Sequence, residues 1–335
     1  MNTTPPQEAT VIDTHAHLAP RHLLERMHSG EVRFPHIEVT AHEETYRVSF
    51  AGGEPTRPVS PGLTDQERRG RWLDENGIDL QLVGGWLDIF GYQLRGDEGA
   101  EWAETLTRAI VETIADDPRQ LALGTLPLQD PQRAADALRQ QRADGLPGVM
   151  IATRVGTTDL DDPSLTPFWE AADETEALVF LHPGFGGASD RYHDFGLVNG
   201  LARLEDTTVS LARLLYAGVP ARYHRAKLLV AHAGAALPYV LGRLMRNHAM
   251  NPDTTADPLE SFQQLYFDSV IFDAPSLRFL VDKVGADRVL LGSDYPFPIG
   301  DLTPRSVIEE ARFSAVERAL IDGGNARRLI GGERP

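Results

Sequence analysis

The sequence predicts a (β/α)8 barrel, a ring of eight parallel strands each followed by a helix. Three observations carry this reading. Short apolar runs alternate with amphipathic stretches, and with the run Val11–His17 there are eight of them. The runs are continuously apolar, as in sheets that helices cover. The first run ends in His15-Ala16-His17, and no glycine-rich phosphate-binding turn follows it, which argues against an open doubly wound sheet.

Each element follows in order. Val11–His17 reads as a strand in which His15 and His17 share a face with Asp13, because alternate strand residues point the same way. Residues 18–71 read as irregular, punctuated by Gly52-Gly53, Pro55, Pro58, Pro61 and Gly62, with weak strand signals at Ile37–Val39 and Tyr46–Phe50. So long a segment is expected to be an insertion covering the active-site end of the fold. Its His36 and His42 are read as inert loop histidines. Thr64–Asn76 reads as a helix capped by Gly77, followed by the strand Ile78–Val83. Glu98–Asp116 is a helix whose stripe of Trp102, Leu106, Ala109, Ile110 and Ile114 reads as core. Then come the strand Leu121–Leu126, the helix Pro131–Ala143, the strand Gly148–Thr153 and the helix Pro163–Thr175. They are followed by the strand Leu178–His182, the helix Leu201–Ala217, the strand Lys227–His232 and the helix Leu237–Asn247. The strand Leu265–Asp268, the helix Pro275–Val284 and the strand Val289–Gly292 complete the ring. Two helices, Pro304–Arg312 and Ser314–Asp322, close the chain.

Composition narrows the function classes. The 335 residues, 41% of them hydrophobic, are read as one domain over 1–335 with a large core. A net charge of −17 disfavours nucleic acid and anionic membranes as partners. The absence of cysteine excludes disulfides, thiolate catalysis and sulfur-ligated metals. No run approaches a membrane span, so a cytoplasmic protein is expected.

In such barrels the chemistry sits at the C-terminal ends of the strands. His15 and His17 end the first strand, His182 the fifth and His232 the sixth, and Asp294 follows the eighth. Five ligand-type side chains at one rim predict a mononuclear metal site. All-nitrogen-and-oxygen donors favour zinc, and iron, manganese and cobalt also fit.

The same residues carry a resemblance. His15-Ala16-His17, Phe180-Leu181-His182-Pro183, Val230-Ala231-His232-Ala233-Gly234-Ala235 with Gly242-Arg243-Leu244, and Gly292-Ser293-Asp294-Tyr295-Pro296-Phe297-Pro298 resemble the decarboxylase branch of the amidohydrolase superfamily. Arg57-Pro58-Val59, Leu73–Asp79 and Phe90-Gly91-Tyr92 extend the similarity over nearly the whole chain, toward its carboxymuconate-semialdehyde type. The resemblance implies that His15, His17, His182 and Asp294 bind one metal, with a water completing the shell. It further implies that His232 is the general base, that Asp294 returns a proton, that Arg57 holds a carboxylate, and that Arg243 reaches the active site of the neighbouring chain in a homodimer. The fourth strand, Val149–Thr153, carries no Lys or Glu, which argues against a second metal. Gly184 stands where the family has a Trp, and no Trp occurs in the following Phe185–Phe195. Trp86 is expected to supply bulk on the opposite wall, and Asp88 an additional polar contact. The expected activity is therefore metal-dependent, non-oxidative decarboxylation of an unsaturated or aromatic carboxylic acid. The alternatives are a hydrolase or hydratase acting on a lactone, a carbon–carbon bond or an unsaturated acid at the same centre, and a non-catalytic metal-storage protein.

Overall fold

The computed structural model describes residues 10–184 and 189–331. The Phe185–Ala188 part of the loop singled out above lies outside them. In chain order the strands are β1 (Ile12–Leu18), β2 (Ile37–His42), β3 (Thr45–Phe50), β4 (Leu80–Gly85), β5 (Gln120–Ala122) and β6 (Gly148–Ala152). Then follow β7 (Arg154–Val155), β8 (Thr158–Asp159), β9 (Leu178–His182), β10 (Lys227–Val230), β11 (Tyr266–Asp268) and β12 (Val289–Leu290).

Eight of these form the barrel. β1, β4 and β5 make one parallel group; β6, β9, β10, β11 and β12 make the other. Two seams join them. At one, Gly124 bridges Val149, with Gly124 N donating to Gly148 O at 2.9 Å and Met150 N to Gly124 O at 3.0 Å. At the other, Ala16 bridges Tyr295, with Thr14 N donating to Leu291 O at 2.9 Å and Asp294 N to His15 O at 2.8 Å. The ring is thus closed, and the second seam ties the first metal-site strand to the last. Gly148 is required by close approach: a Cβ there would lie 1.8 Å from Leu178 O on the paired strand.

The pleat divides the core. Val83, Met150, Phe180, Leu229 and Leu290 belong to one buried cluster, and their strand neighbours Val149, Ile151, Val179, Leu181, Val230 and Leu291 to a second. The second packs under the helices, with Leu138, Phe168, Leu211, Leu241 and Leu277. Burying both faces is what makes the strands read as continuous apolar runs.

The helices Pro131–Ala143, Leu237–Met250 and Ala274–Val284 fall close to their expected places. Gly77 caps the helix Gln66–Asn76 in the left-handed conformation, with φ 61°, where only glycine is unstrained. Several boundaries differ. The strands expected over Leu121–Leu126 and Val289–Gly292 are three and two residues long, because their continuations carry the seam bonds and the site turn. The helix expected at Leu201 begins with a wide turn over Val198–Ala202 before Arg203–Tyr216. The final helix breaks into Ala315–Ala319 and Asn325–Leu329 around another such turn.

Residues 18–71 are more regular than expected. The helix Arg21–His28 buries Leu23, Leu24 and Met27. The two weak strand signals pair as an antiparallel hairpin, β2–β3, from Ile37–Phe50 to His42–Thr45. Among the described residues no helix is long and apolar enough to cross a membrane.

Candidate metal centre

β1 delivers two ligands through an irregularity. Its register to β4 shifts between Asp13 and Ala16, after which His17 pairs with Gly84. His15 and His17 are both fully buried, and their Nε2 atoms lie 3.3 Å apart. β9 delivers His182 at its last residue, and its Phe180 packs edge-on against the His15 ring at 4.8 Å between centroids. Asp294 comes from the turn after β12 with a positive φ of 60°. Gly300 makes that turn possible, since a Cβ there would lie 2.7 Å from both Asp294 O and Ser293 O.

The four side chains converge. One ligand atom from each of His15, His17, His182 and Asp294 lies within 4.8 Å of every other, and all four residues are buried. Asp294 Oδ1 is 3.2 Å from His15 Nε2, 3.1 Å from His17 Nε2 and 3.9 Å from His182 Nε2. By hydrogen-bond geometry neither Oδ1 nor His182 Nε2 has a partner among the described residues, and both atoms are buried. Unsatisfied buried polar atoms cost free energy unless something fills the space between them.

The outer nitrogens are engaged. His15 Nδ1 donates to Asp268 Oδ2 at 2.6 Å, and His182 Nδ1 to Pro183 O at 2.9 Å. His17 Nδ1 faces Gly85 O at 3.4 Å. Each outward N–H leaves the Nε2 lone pair pointing inward, the tautomer that metal-ligating histidines adopt. Burial lowers the pKa of His17 and of His182, keeping them neutral. Burial would also lower His15, but Asp294 and Asp268 outweigh it and bring it to about 10. Burial would raise Asp294, yet its histidine neighbours hold it well below the usual carboxylate range. Two neutral imidazoles and an ionised carboxylate, with His15 giving up its Nε2 proton as a cation arrives, are a donor set for a divalent ion. The residues therefore fit one such ion.

His232 stands beside this set. Its Nε2 is 3.5 Å from Asp294 Oδ2, on the oxygen turned away from the other histidines. Its side chain is 14% exposed, so it can meet a substrate. His232, Ala233 and Ala235 all have φ near 55°, a strained conformation for residues with a Cβ. Asp268 holds this turn: it accepts from His232 N at 3.0 Å, Ala233 N at 2.8 Å and Val270 N at 3.1 Å.

The expected substrate residues are placed unequally. Arg57 forks onto the buried Asp88 at 3.1–3.2 Å, and its Cζ lies 5.6 Å from the Trp86 ring centre. Trp86 is buried, and its Nε1 has no hydrogen-bond partner among the described residues. Burial raises the pKa of Asp88, against the pull of Arg57. Trp86 and Asp88 follow β4, whose Gly85 O faces His17. Arg243 is exposed on the helix Leu237–Met250 and meets no site residue of its own chain among those described. His36 pairs with Glu98 at 2.6 Å in an exposed position, away from the metal set.

Two site residues escaped the sequence reading. Asp268 ends the seventh strand, so the strand-end rule that found the other ligands could have found it. Arg203 donates from Nη1 to Gly184 O at 3.1 Å; nothing in the pattern around it signals a site. Below the ligands, buried Asp13 accepts from Gln81 Nε2 at 2.8 Å and Ser293 Oγ at 2.6 Å, and Arg69 donates to Gln81 and to His17 O.

Comparison with known proteins gives a consistent picture. A family model described as amidohydrolase matches residues 12–332. The chain is 30% identical to 2-amino-3-carboxymuconate-6-semialdehyde decarboxylase of Dictyostelium discoideum, over 96% of this chain and 91% of that one. It is 29% identical to gamma-resorcylate decarboxylase of a Polaromonas species, over 80% of this chain and 88% of the relative. Among solved structures it resembles the dihydroxybenzoic acid decarboxylase of Polaromonas, crystallised with manganese and 2-nitroresorcinol. That match has a TM-score of 0.77 and 24% identity, and covers 96% of each chain.

Proposed function

The chain belongs to the amidohydrolase family, and from that premise we propose that it is a metal-dependent, non-oxidative decarboxylase of an unsaturated or aromatic carboxylic acid. The observation that carries the reading is the convergence of His15, His17, His182 and Asp294 within 4.8 Å, with His232 at 3.5 Å from Asp294 on the open side.

His15, His17, His182 and Asp294 would hold the ion. A bound divalent cation supplies Lewis-acid stabilisation of the negative charge that develops as the carboxylate leaves. The protein's own groups do the rest. Arg57 presents a planar fork suited to a carboxylate. His232, on the rim between the ligands and solvent, and the ligand Asp294 beside it manage the proton. The bond from carbon to carboxylate breaks, and its electron pair stays on the carbon. That carbon takes a proton from the His232–Asp294 pair, and CO2 departs. The pair recovers its proton from water, so each turnover consumes one proton.

Zinc is the proposed ion; manganese, iron and cobalt suit the same donors. We take the barrel and residues 18–71 as one domain, and the cytoplasmic location expected from the sequence is part of this proposal. The protein is proposed to act as a homodimer in which Arg243 enters the neighbour's site. The exposed rings of Tyr239 and Phe279, 6.5 Å apart beside the Arg243 helix, support an interface there.

The test is product analysis with the metal-loaded protein on hydroxybenzoates, carboxymuconate-type dienes and β-keto acids. Products short of CO2 by mass support the proposal. Products that gain water instead would establish a hydratase or hydrolase on the same centre.

A further inference from the structure

A fully buried arginine lies beneath the metal set. Arg69, on the helix Gln66–Asn76, is 0% exposed, as are Gln81, Asp13 and Ser293. Its Nη2 donates to His17 O at 2.5 Å and its Nη1 to Gln81 Oε1 at 2.7 Å. Gln81 carries the contact on, with Nε2 donating to Asp13 Oδ2 at 2.8 Å. Asp13 Oδ2 also accepts from Ser293 Oγ at 2.6 Å, and Asp13 Oδ1 accepts from His15 N at 3.1 Å. Ser293 Oγ in turn accepts from Tyr295 N at 3.1 Å. The same helix grips the Tyr295 ring, with Arg69 Cζ 4.8 Å and the Trp72 ring centre 4.5 Å from its centre.

These contacts end on the backbone of three of the four ligands. They hold His15 at its N–H, His17 at its carbonyl, and Asp294 through the residue on either side of it. Asp294 has a φ of 60°, a left-handed conformation that its surroundings must hold in place. Packing alone does not account for Arg69. A buried charge costs free energy that its partners at best offset, and replacing a buried ionic set by hydrophobic residues of like volume is often neutral or stabilising. What a buried hydrogen-bond network adds is rigidity of the groups it joins.

We propose that Arg69 is a positioning residue for the metal centre: through His17 O, and through Gln81 and Asp13, it sets the spacing of His15, His17 and Asp294 that a divalent ion meets. It acts through these groups rather than by touching the ion. The inference rests on the metal-binding part of the proposed function and is independent of which reaction follows. The two arms fix different things. The direct arm holds the end of β1 at His17. The Gln81 arm reaches across the seam, from β1 to the turn after β12. Losing the guanidinium removes both arms, and losing the Gln81 amide removes only the second.

The test is a cobalt titration of the metal-free protein, followed by the visible d–d absorption, which reports the number and geometry of the ligands. Wild type, Arg69→Met, Arg69→Lys and Gln81→Met are compared, and the melting temperature of each metal-free protein is recorded. No turnover is needed, so the result stands apart from any failure to release CO2. Arg69→Met should weaken cobalt binding by about 10- to 100-fold, the range for groups that orient metal ligands, and should shift the bands. Arg69→Lys, which keeps a donor for His17 O without the planar fork, should fall between. Gln81→Met should shift the bands and weaken cobalt by a smaller factor than Arg69→Met. If Arg69→Met does not fold, Gln81→Met decides on the same two readouts. Cobalt affinity and bands equal to wild type, whatever the melting temperature, would make Arg69 a packing residue and overturn the proposal. Wild type that takes up no cobalt would overturn the metal reading and this inference with it.

Discussion

His15 Nδ1 and Asp268 Oδ2 are 2.6 Å apart, and both side chains are fully buried. The same carboxyl group accepts the backbone N–H groups of His232 and Ala233. One residue at the end of β11 thus engages both His15 of the metal set and the strained turn that presents His232, the proposed acid/base residue. Under the proposed function, ion binding and proton transfer are joined through it.

Asp268→Asn keeps the shape but replaces an acceptor with an amide. Metal affinity should fall by about 10- to 100-fold, as for other carboxylate partners of ligating histidines. Equilibrium dialysis with metal analysis checks it. Unchanged affinity would reduce Asp268 to a structural role.

His232→Ala should lower kcat by at least about 100-fold, the usual weight of a positioned acid or base. Metal content should stay near that of wild type, because His232 is outside the ligand set. Steady-state assay and elemental analysis on one preparation separate the two roles. Loss of the metal would make His232 a ligand.

Removing the ion should cost stability as well as activity. The chelated protein keeps Asp294 Oδ1 and His182 Nε2 buried without partners among the described residues, and a ligand that binds only the folded state raises Tm. Differential scanning calorimetry should show Tm rising with zinc or manganese in wild type. Asp294→Asn should lose most of that rise. Equal shifts in both proteins would place the ion elsewhere.

At the opposite end of the barrel, Asp117 accepts from Arg119 N, Nε and Nη2 at 2.9–3.0 Å just before β5. The Arg119 hydrogen bond holds the Asp117 pKa below its ordinary value. A carboxylate depressed on folding adds stability above its unfolded pKa and loses it as pH falls through its folded one. Asp117→Asn should therefore lower stability near neutrality by about 0.5–1 kcal/mol, a small value because the pair is solvent-screened. In strong acid the two proteins should melt alike, and kcat should not change at either pH. Melting curves and assays across pH check it; an equal deficit in strong acid would contradict the ionic origin.

The barrel and its ligands were legible because they follow strict local rules. His15, His17, His182, His232 and Asp294 each end or follow an apolar run, and the barrel brings all such ends to one rim. The strand Leu178–His182 and the helix Pro131–Ala143 were readable to the residue because helix starters, glycine stops and apolar runs agree there. The helix Arg21–His28 was hidden by the irregular sequence after it, although Leu23, Leu24 and Met27 carry its buried face. The hairpin β2–β3 showed only as two weak signals, since much of it is exposed and lacks an apolar run. Arg203 was not legible at all. It meets Gly184, 19 residues earlier, only through the fold.

The account's central claim is tested most directly by CO2 release. Wild-type protein loaded with zinc or manganese, the same protein after chelation, and metal-loaded His232→Ala would each be given the acid panel under a headspace CO2 detector. The account predicts CO2 from at least one acid with the loaded wild type, none after chelation and none from the variant. CO2 release that survives chelation, or no release from any acid while water-gaining products form, would contradict it.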